Sequence, residues 1–309
     1  MEESLKKKKV GVLMGGLSKE REISLKTGKA IARALSGKGY QVHSIDVGRD
    51  IAAVLMREKI ECAFIALHGR FGEDGTVQGM LELMGIPYTG SGVLASALAH
   101  HKIMAKKVFA CEKIPTPSFE IFHRREIEKG ELRNSSLSLP RVVKPAREGS
   151  TLGISIVREE EEWIPALKKA GEYDEEILVE AFIKGKEITV TILEGLALPI
   201  IEIAPRSGFY DYHSKYTKGE TDYILPARIP REKYLYAQEV ALKAYQAFGC
   251  SGCVRVDLMT DEDGNPYVID VNTMPGMTET SLVPQAAAFA GIPFEDLAER
   301  ILLGASLKL

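Results

Sequence analysis

The stretch Arg255-Val-Asp-Leu-Met-Thr-Asp-Glu-Asp-Gly-Asn-Pro-Tyr-Val-Ile-Asp-Val-Asn272 carries carboxylates, an amide and a guanidinium at spacings that bring them together. Residues 253–259 and 267–272 alternate polar and apolar, and Asp263-Gly264 between them is a two-residue hairpin signal. Such a turn sets Asp257 opposite Asp270 and Arg255 opposite Asn272, with facing Cβ atoms ~4.5–5.5 Å apart on one face. Two carboxylates and an amide oxygen that close repel one another unless a hard cation neutralises them, and all-oxygen ligation suits Mg²⁺. Arg255 beside them could hold an anion. The chemistry expected is phosphate handling; the plainer alternative is an exposed hairpin with acidic residues on its wet face.

A second segment, Lys144-Pro-Ala-Arg-Glu-Gly-Ser-Thr-Leu-Gly153, lies between two expected strands. Its Gly/Ser loop could fold backbone N–H groups over a phosphate, with a lysine at the base. It is not a Walker A loop, which needs G-x-x-x-x-G-K-[ST] leading into a helix, and alone it reads equally well as a hairpin turn. Beside the acidic hairpin it suggests one lobe covering a triphosphate while another supplies metals.

The elements that must position these residues follow from periodicity. Val10–Met14 reads as a buried strand and Gln41–Val47 and Cys62–Leu67 as further strands, with helices from about Ser18 and over 51–58. That alternation predicts a parallel, doubly wound sheet whose functional loops, Gly15-Gly16 and His68-Gly69, fall at strand C-terminal ends. No GxGxxG is present, which argues against a dinucleotide site. A helix carrying Lys102, Lys106 and Lys107 follows. Strands at 141–145, 154–157, 177–180 and 188–193 then surround a Glu-rich helix at 158–170, and residues 124–139 read as a mobile surface insertion. A helix over 231–248 precedes the hairpin.

At 309 residues the chain suggests two or three compact units. Its net charge of −3 offers no basic field for nucleic acid. Val10–Met14 is too short for a signal peptide, and no window approaches the ~20 apolar residues of a membrane span. We expect a soluble, cytoplasmic protein. Cys250 and Cys253 have CxxC spacing, but they enter a strand and no second pair completes a zinc site, so the four cysteines read as structural thiols.

Six motifs, in order, resemble the D-alanine–D-alanine ligases of the ATP-grasp superfamily, over about residues 11–302. They are Gly15-Gly-Leu-Ser-Lys-Glu-Arg-Glu-Ile-Ser24; Ala66-Leu-His-Gly-Arg70 with Gly72-Glu-Asp-Gly75; Pro87-Tyr-Thr-Gly-Ser-Gly92; Val143-Lys-Pro with Arg147-Glu-Gly-Ser150; Phe209-Tyr-Asp-Tyr-His-Ser-Lys-Tyr216; and Asn272-Thr-Met-Pro-Gly-Met-Thr278. The resemblance implies an α/β protein, α+β in its ATP-binding lobes. It would have three ATP-grasp domains at 1–99, 100–182 and 183–309, the first built on a doubly wound parallel sheet. It further implies ATP and two Mg²⁺ (or Mn²⁺) as cofactors, two D-alanine molecules as substrates, a homodimer, and a product used in peptidoglycan synthesis.

Residue by residue, Lys102, Lys144 and Lys215 match phosphate-binding lysines. Glu180 matches the residue at the adenine amino group, with backbone groups of Ala181, Phe182 and Ile183 at the ring edge and Glu187 on the ribose. Asp257, Asp270 and Asn272 match the ligands of two metal ions, in agreement with the hairpin register; the family's usual residue at 270 is glutamate, one methylene longer. Glu20 matches the carboxylate for the first substrate's ammonium group, linked through Ser150 to Tyr216, and His68 lies near that substrate. Arg255 and the N–H of Gly276 match the oxyanion donors, and glycine at 276 would permit close approach and an unusual φ. Ser281 and the N–H of Leu282 match the site for the second substrate's carboxylate, at an expected helix N-terminus. Tyr210–Tyr216, with three tyrosines, a histidine and a lysine, is poor core material and fits a closing lid. Tyr216 goes with dipeptide synthesis in this family. Against that stand a D-alanine–D-lactate ligase on the same scaffold and a catalytically silent nucleotide-binding module.

Overall fold

The computed structural model describes residues 2–149, 152–206, 217, 219–278 and 280–308. After a short helix α1 (Glu2–Lys6), strands β1 (Lys9–Met14), β2 (Gln41–Asp46) and β3 (Cys62–Ile65) form a parallel sheet in the order β2-β1-β3. Helices α2 (Arg21–Gly37) and α3 (Ile51–Glu58) make the crossovers. From Val10 onward β1 is buried on both faces, which is why it reads as an apolar run without alternation. Helix α2 starts three residues later than expected, with Glu20 as its N-cap residue. Helices α4 (Thr76–Met84), α5 (Val93–His100) and α6 (Lys102–Cys111) lead out of this unit.

The second sheet is antiparallel. Strands β4 (Phe119–His123), β5 (Arg141–Pro145), β6 (Ser155–Val157) and β7 (Glu176–Ala181) lie in the order β4-β7-β5-β6. One face packs Val143, Val157, Ile177 and Val179 against Trp163 and Leu167 of α8 (Trp163–Gly171). The expected helix at 158–170 is shorter: a 3₁₀ turn holds Glu160–Glu162 and the α-helix begins at Trp163. The opposite face carries Leu178, packed with Ile103 of α6 and Ala146.

Segment 124–139 is not a loose insertion. It opens with α7 (Arg124–Lys129), and Leu132, Leu137 and Leu139 pack on the α8 core. The Glu120 carboxylate accepts hydrogen bonds from the Ser135 and Ser136 hydroxyls at 2.7 and 2.6 Å. Three leucines spread over eight residues give no helical or strand period, so the sequence pattern hides the anchoring.

Strands β8 (Glu187–Leu193), β9 (Leu196–Ala197), β10 (Ile201–Pro205), β11 (Thr221–Ile224), β12 (Cys253–Thr260) and β13 (Pro266–Asn272) build the third sheet, ordered β11-β10-β8-β12-β13 with β9 on β8. Alternation sorts its central strands. Ile188, Val190, Ile192, Val254, Val256 and Leu258 pack against α9 (Arg231–Ala247) and α6, which leaves Thr189, Arg255 and Asp257 on the other face.

The β12–β13 pairing has the expected register at the site, Asp257 opposite Asp270 and Arg255 opposite Asn272. Its turn is different. Thr260 pairs with Pro266, so the loop is Asp261–Asn265, and its geometry is fixed by the Asp261 carboxylate accepting the N–H groups of Asp263 and Asn265 at 3.0 and 2.8 Å. A bulge between Asp257 and Leu258 then shifts the pairing by one residue and restores the expected partners.

Helices α10 (Leu282–Phe289) and α11 (Phe294–Leu303) return to the start of the chain. Val283, Leu297 and Ile301 share one core with Val10, Val12, Ile31 and Leu35, each such burial stabilising the fold by roughly 1.5–3 kcal/mol. Lys38 meets both Asp296 and Glu299 at 2.5 Å, and the Tyr40 hydroxyl donates to Glu299 at 3.0 Å. All four cysteines are free, and burial pushes the Cys250 and Cys253 thiols up to about 12, as inert structural thiols require. No helix among the described residues is long and apolar enough to cross a membrane.

Candidate active site

A cleft of about 370 Å³ opens where the three sheets meet, and Glu20, His68, Lys102, Arg255, Asp257, Asp270, Asn272, Gly276, Ser281 and Leu282 all line it. These side chains come from the α2 start, the loop after β3, the α6 start, the facing strands β12 and β13, and the loop into α10. A larger groove of about 870 Å³ follows β2 and includes the Arg21–Asp46 ion pair, but none of the residues singled out by sequence.

On β12, Arg255 and Asp257 point the same way because they are two residues apart. The guanidinium donates from Nε and one Nη to the two Asp257 oxygens, each at 2.8 Å, and the Thr189 hydroxyl donates to Asp257 Oδ1 at 2.6 Å. Asp270 is more open, at 34 % exposure, with Lys102 Nζ 3.8 Å away. Asn272 Oδ1 accepts the Met274 N–H at 2.9 Å. The two carboxylates are thus already balanced by protein cations, so their closeness alone does not demand a metal. No group of three or more His, Cys, Asp or Glu among the described residues gathers as a ligand set. The donors still suit a hard divalent ion: two carboxylates and an amide oxygen share one face, and the Asp270 carboxylate faces the cleft.

Lys102 donates to the Glu148 carbonyl at 2.9 Å, which ties α6 to the loop between β5 and β6. That loop closes an antiparallel hairpin. Lys144, at its base, turns inward to Glu180 at 2.5 Å rather than up into the loop. Glu180 also pairs with Lys106, and both residues are almost wholly buried. Burial by itself would raise the Glu180 carboxyl; the two ammonium groups outweigh it and hold it below its usual range. Burial pushes the Lys106 ammonium down to about 8. The N–H groups of Ala181 and Phe182 donate to the Ser118 and Pro140 carbonyls, which leaves Ile183 as the donor of that stretch with no such bond among the described residues. Glu187 opens β8 and pairs in register with Met259.

The Glu20 carboxylate sits against two glycines. A Cβ on Gly69, whose φ is +68°, would come within 2.7 Å of Glu20 Oε2, and one on Gly149 within 3.4 Å. Glycine at 69 is therefore required for both backbone and space. Gly276 is needed for space alone. Its φ is not among the positive ones, contrary to expectation, but a Cβ there would lie 3.1 Å from Ser281 Oγ. Ser281 is the N-cap residue of α10 as expected, though its hydroxyl serves the preceding turn, accepting the Thr278 N–H at 3.0 Å. Ser150, Lys215 and Tyr216, with the rest of the lid segment 210–216, lie outside the described residues.

Sequence reasoning assigned no role to Glu73, His100 or Lys106. The ring of His68 is held between Thr27 Oγ1, 3.2 Å from Nε2, and Glu73, 3.5 Å from Nδ1; His100 approaches the same carboxylate at 3.9 Å. Burial raises the Glu73 carboxyl, but the two imidazoles overcome this and lower it. Glu73 stood in a quoted motif, and Lys106 stands one helical turn after Lys102 on the same face. Both signals were available.

Comparison with known families matches residues 108–303 to the D-ala D-ala ligase C-terminus and residues 46–91 to the D-ala D-ala ligase N-terminus. The chain is 54 % identical to a D-alanine–D-alanine ligase of Geotalea uraniireducens, over 99 % of this chain and 98 % of that one. It is 55 % identical to one of Syntrophotalea carbinolica over 99 % of both. Among solved structures it is similar to the Bacillus anthracis D-alanine–D-alanine ligase complexed with ATP, with TM-score 0.84, 36 % identity and coverage of 96 % and 97 %. It also resembles the VanG D-Ala:D-Ser ligase of Enterococcus faecalis, with TM-score 0.81, 31 % identity and coverage of 95 % and 98 %.

Proposed function

The chain belongs to the D-alanine–D-alanine ligase family, and from that premise we propose that it joins two D-alanines at the expense of ATP, in the cytoplasm, for peptidoglycan precursors. The observation that carries this reading is the convergence, in one cleft, of Glu20, Arg255, Gly276 and Ser281 with Lys102, Asp257, Asp270 and Asn272. The divisions 1–99, 100–182 and 183–309 then act as three domains, one sheet in each, and a homodimer is the expected assembly.

A free carboxylate is a poor electrophile, so the carboxylate of the first D-alanine attacks the γ-phosphorus of ATP, and ADP departs. Glu20 holds that substrate's ammonium group. Lys102, Lys144 and Lys215 hold the phosphates, Glu180 and Ile183 the adenine, and Glu187 the ribose. Two Mg²⁺ or Mn²⁺ ions, held by Asp257, Asp270 and Asn272, would supply neutralisation of charge on the transferring phosphoryl group. The amine of the second D-alanine then attacks the acyl carbon of D-alanyl phosphate, a C–N bond forms, and phosphate leaves. Arg255 and the Gly276 N–H stabilise the tetrahedral oxyanion, where one fixed donor is worth ~3–4 kcal/mol of barrier. Ser281 and the Leu282 N–H hold the second substrate's carboxylate.

The test is phosphate release from ATP with D-alanine present or withheld, with the dipeptide identified by mass. Strict dependence on D-alanine is expected. D-alanine-independent hydrolysis, or a kcat/KM higher for D-lactate or D-serine as second substrate, would overturn the reading. The relatives more than 50 % identical are D-alanine–D-alanine ligases, whereas the D-serine enzyme stands at 31 %.

A further inference from the structure

Lys106 has no role in the reaction as set out above, yet it is among the largest fully buried side chains, at 1 % exposure. A lysine with no water around it needs a reason. Its ammonium touches Glu180 Oε1 and the Thr116 hydroxyl, and that hydroxyl donates to the Val268 carbonyl of β13 at 2.7 Å. Lys144 approaches the other Glu180 oxygen at 2.5 Å from the opposite side. The cluster therefore holds two cations for one carboxylate. Glu180 Oε1 is buried and, despite the ion-pair contact, no well-aligned hydrogen bond reaches it.

The two lysines are not equivalent. Lys144 stands at the base of the loop between β5 and β6 and is drawn to phosphate when nucleotide binds. Lys106 is fixed by α6 and by Thr116, away from that loop. We propose that Lys106 is a positioning residue that sets the nucleobase preference, keeping Glu180 ionised, and so purely a hydrogen-bond acceptor, after Lys144 turns to the phosphates. This inference rests on the reading of Glu180 as the adenine contact. An ionised carboxylate accepts from the 6-amino group of adenine and repels the 6-oxo group of hypoxanthine or guanine. Without Lys106, a carboxylate in this dry site takes up a proton, and its O–H then donates to a 6-oxo group as readily as its other oxygen accepts from an amine.

The experiment compares ATP with ITP, which carries at that edge a 6-oxo group and a protonated N1, the latter a difference common to wild type and variants, and has no 2-amino group. Steady-state kcat and KM are measured for each nucleotide at saturating D-alanine. For Lys106→Met the ATP:ITP ratio of kcat/KM should fall by about tenfold or more relative to wild type, chiefly through a lower KM for ITP, with kcat changed by less than about threefold. Lys106→Arg, which keeps the charge, should restore the ratio to within about threefold of wild type. If Lys106→Met does not fold, Lys106→Gln, which removes the charge but keeps polar contact with Thr116 and leaves Glu180 in place, should show the same lowered ratio. An unchanged ratio, or equal losses for both nucleotides, overturns the inference, as does a wild-type enzyme indifferent to ATP and ITP. D-alanine-dependent phosphate release by the wild type with ATP is the separate check on the underlying reading.

Discussion

Asp257 and Glu180 are both carboxylates clasped by cations, and they differ in what lies beyond the clasp. Asp257 shares a strand face with Asp270 across an open cleft, where Asp270 keeps a third of its surface exposed. Glu180 is walled in, with two lysines at 1 % and 7 % exposure against its own 3 %. In the cleft, water and ligand can compete for the carboxylates, so the ion pairs leave a site ready for occupation. In the sealed cluster the charges are paired with one another, and nucleotide must draw Lys144 out of that pairing in order to bind. Burial thus decides how firmly a charge is committed to its partner before a ligand arrives.

That contrast can be broken most directly at Asp257. Asp257→Asn should lower kcat by roughly 10²-fold or more, since a fixed electrostatic group at the reacting centre is lost; raised Mg²⁺ should recover only part. Wild-type turnover in steady-state assays would refute the assigned cation-binding role. Stability should show the reverse order. Glu180→Gln leaves two lysines buried without their counter-charge and should cost about 3–5 kcal/mol in urea unfolding. Asp270→Asn, at an open position with its cation 3.8 Å away, should stay within about 1 kcal/mol of wild type while losing activity. Equal stability losses at 180 and 270 would erase the distinction.

The smallest effect sharpens it through pH. Burial, with the neighbouring Lys144 charge, pushes Lys106 down to about 8 in the fold against the opposing pull of Glu180 and Asp270, from 10.5 for an ordinary lysine. Between those values the unfolded chain binds more protons than the folded one, so this residue's contribution to stability rises with pH across the window. Urea midpoints from pH 7.5 to 10.5 should show that rise in wild type and lose it in Lys106→Met. Parallel curves would mean that Lys106 is not perturbed by its surroundings.

The hairpin shows how far sequence carried the site and why it went astray in one place. The register at Asp257 and Asp270 followed from a presumed two-residue turn. The molecule instead has a five-residue loop and a bulge whose effects cancel at the site. Alternation fixed which face each residue takes, whatever the loop did, because a one-residue slip would have put Asp257 into the α9 core. Two strands of the parallel N-terminal sheet were legible for a similar reason: β1 and β3, buried on both faces, announce themselves as apolar runs. The enclosure of Lys106 and Glu73 was not, although motif and helical spacing marked both positions. Sequence assigns charged residues to the surface by default, and only tertiary packing reveals which of them are enclosed. The leucines of 130–139 failed from the other side, being apolar anchors too sparse to form a period.

The last two helices, α10 and α11, share one core with α2 and the N-terminal sheet. During synthesis β1, α2, β2 and β3 leave the ribosome early, while the helices that complete their shared core are translated more than two hundred codons later. A unit made early is completed late. Until Val283, Leu297 and Ile301 arrive, the apolar side of that core left open by α2 is exposed to chaperones or to neighbouring nascent chains, and a stop codon soon after Asn272 would leave the core incomplete for the life of the polypeptide.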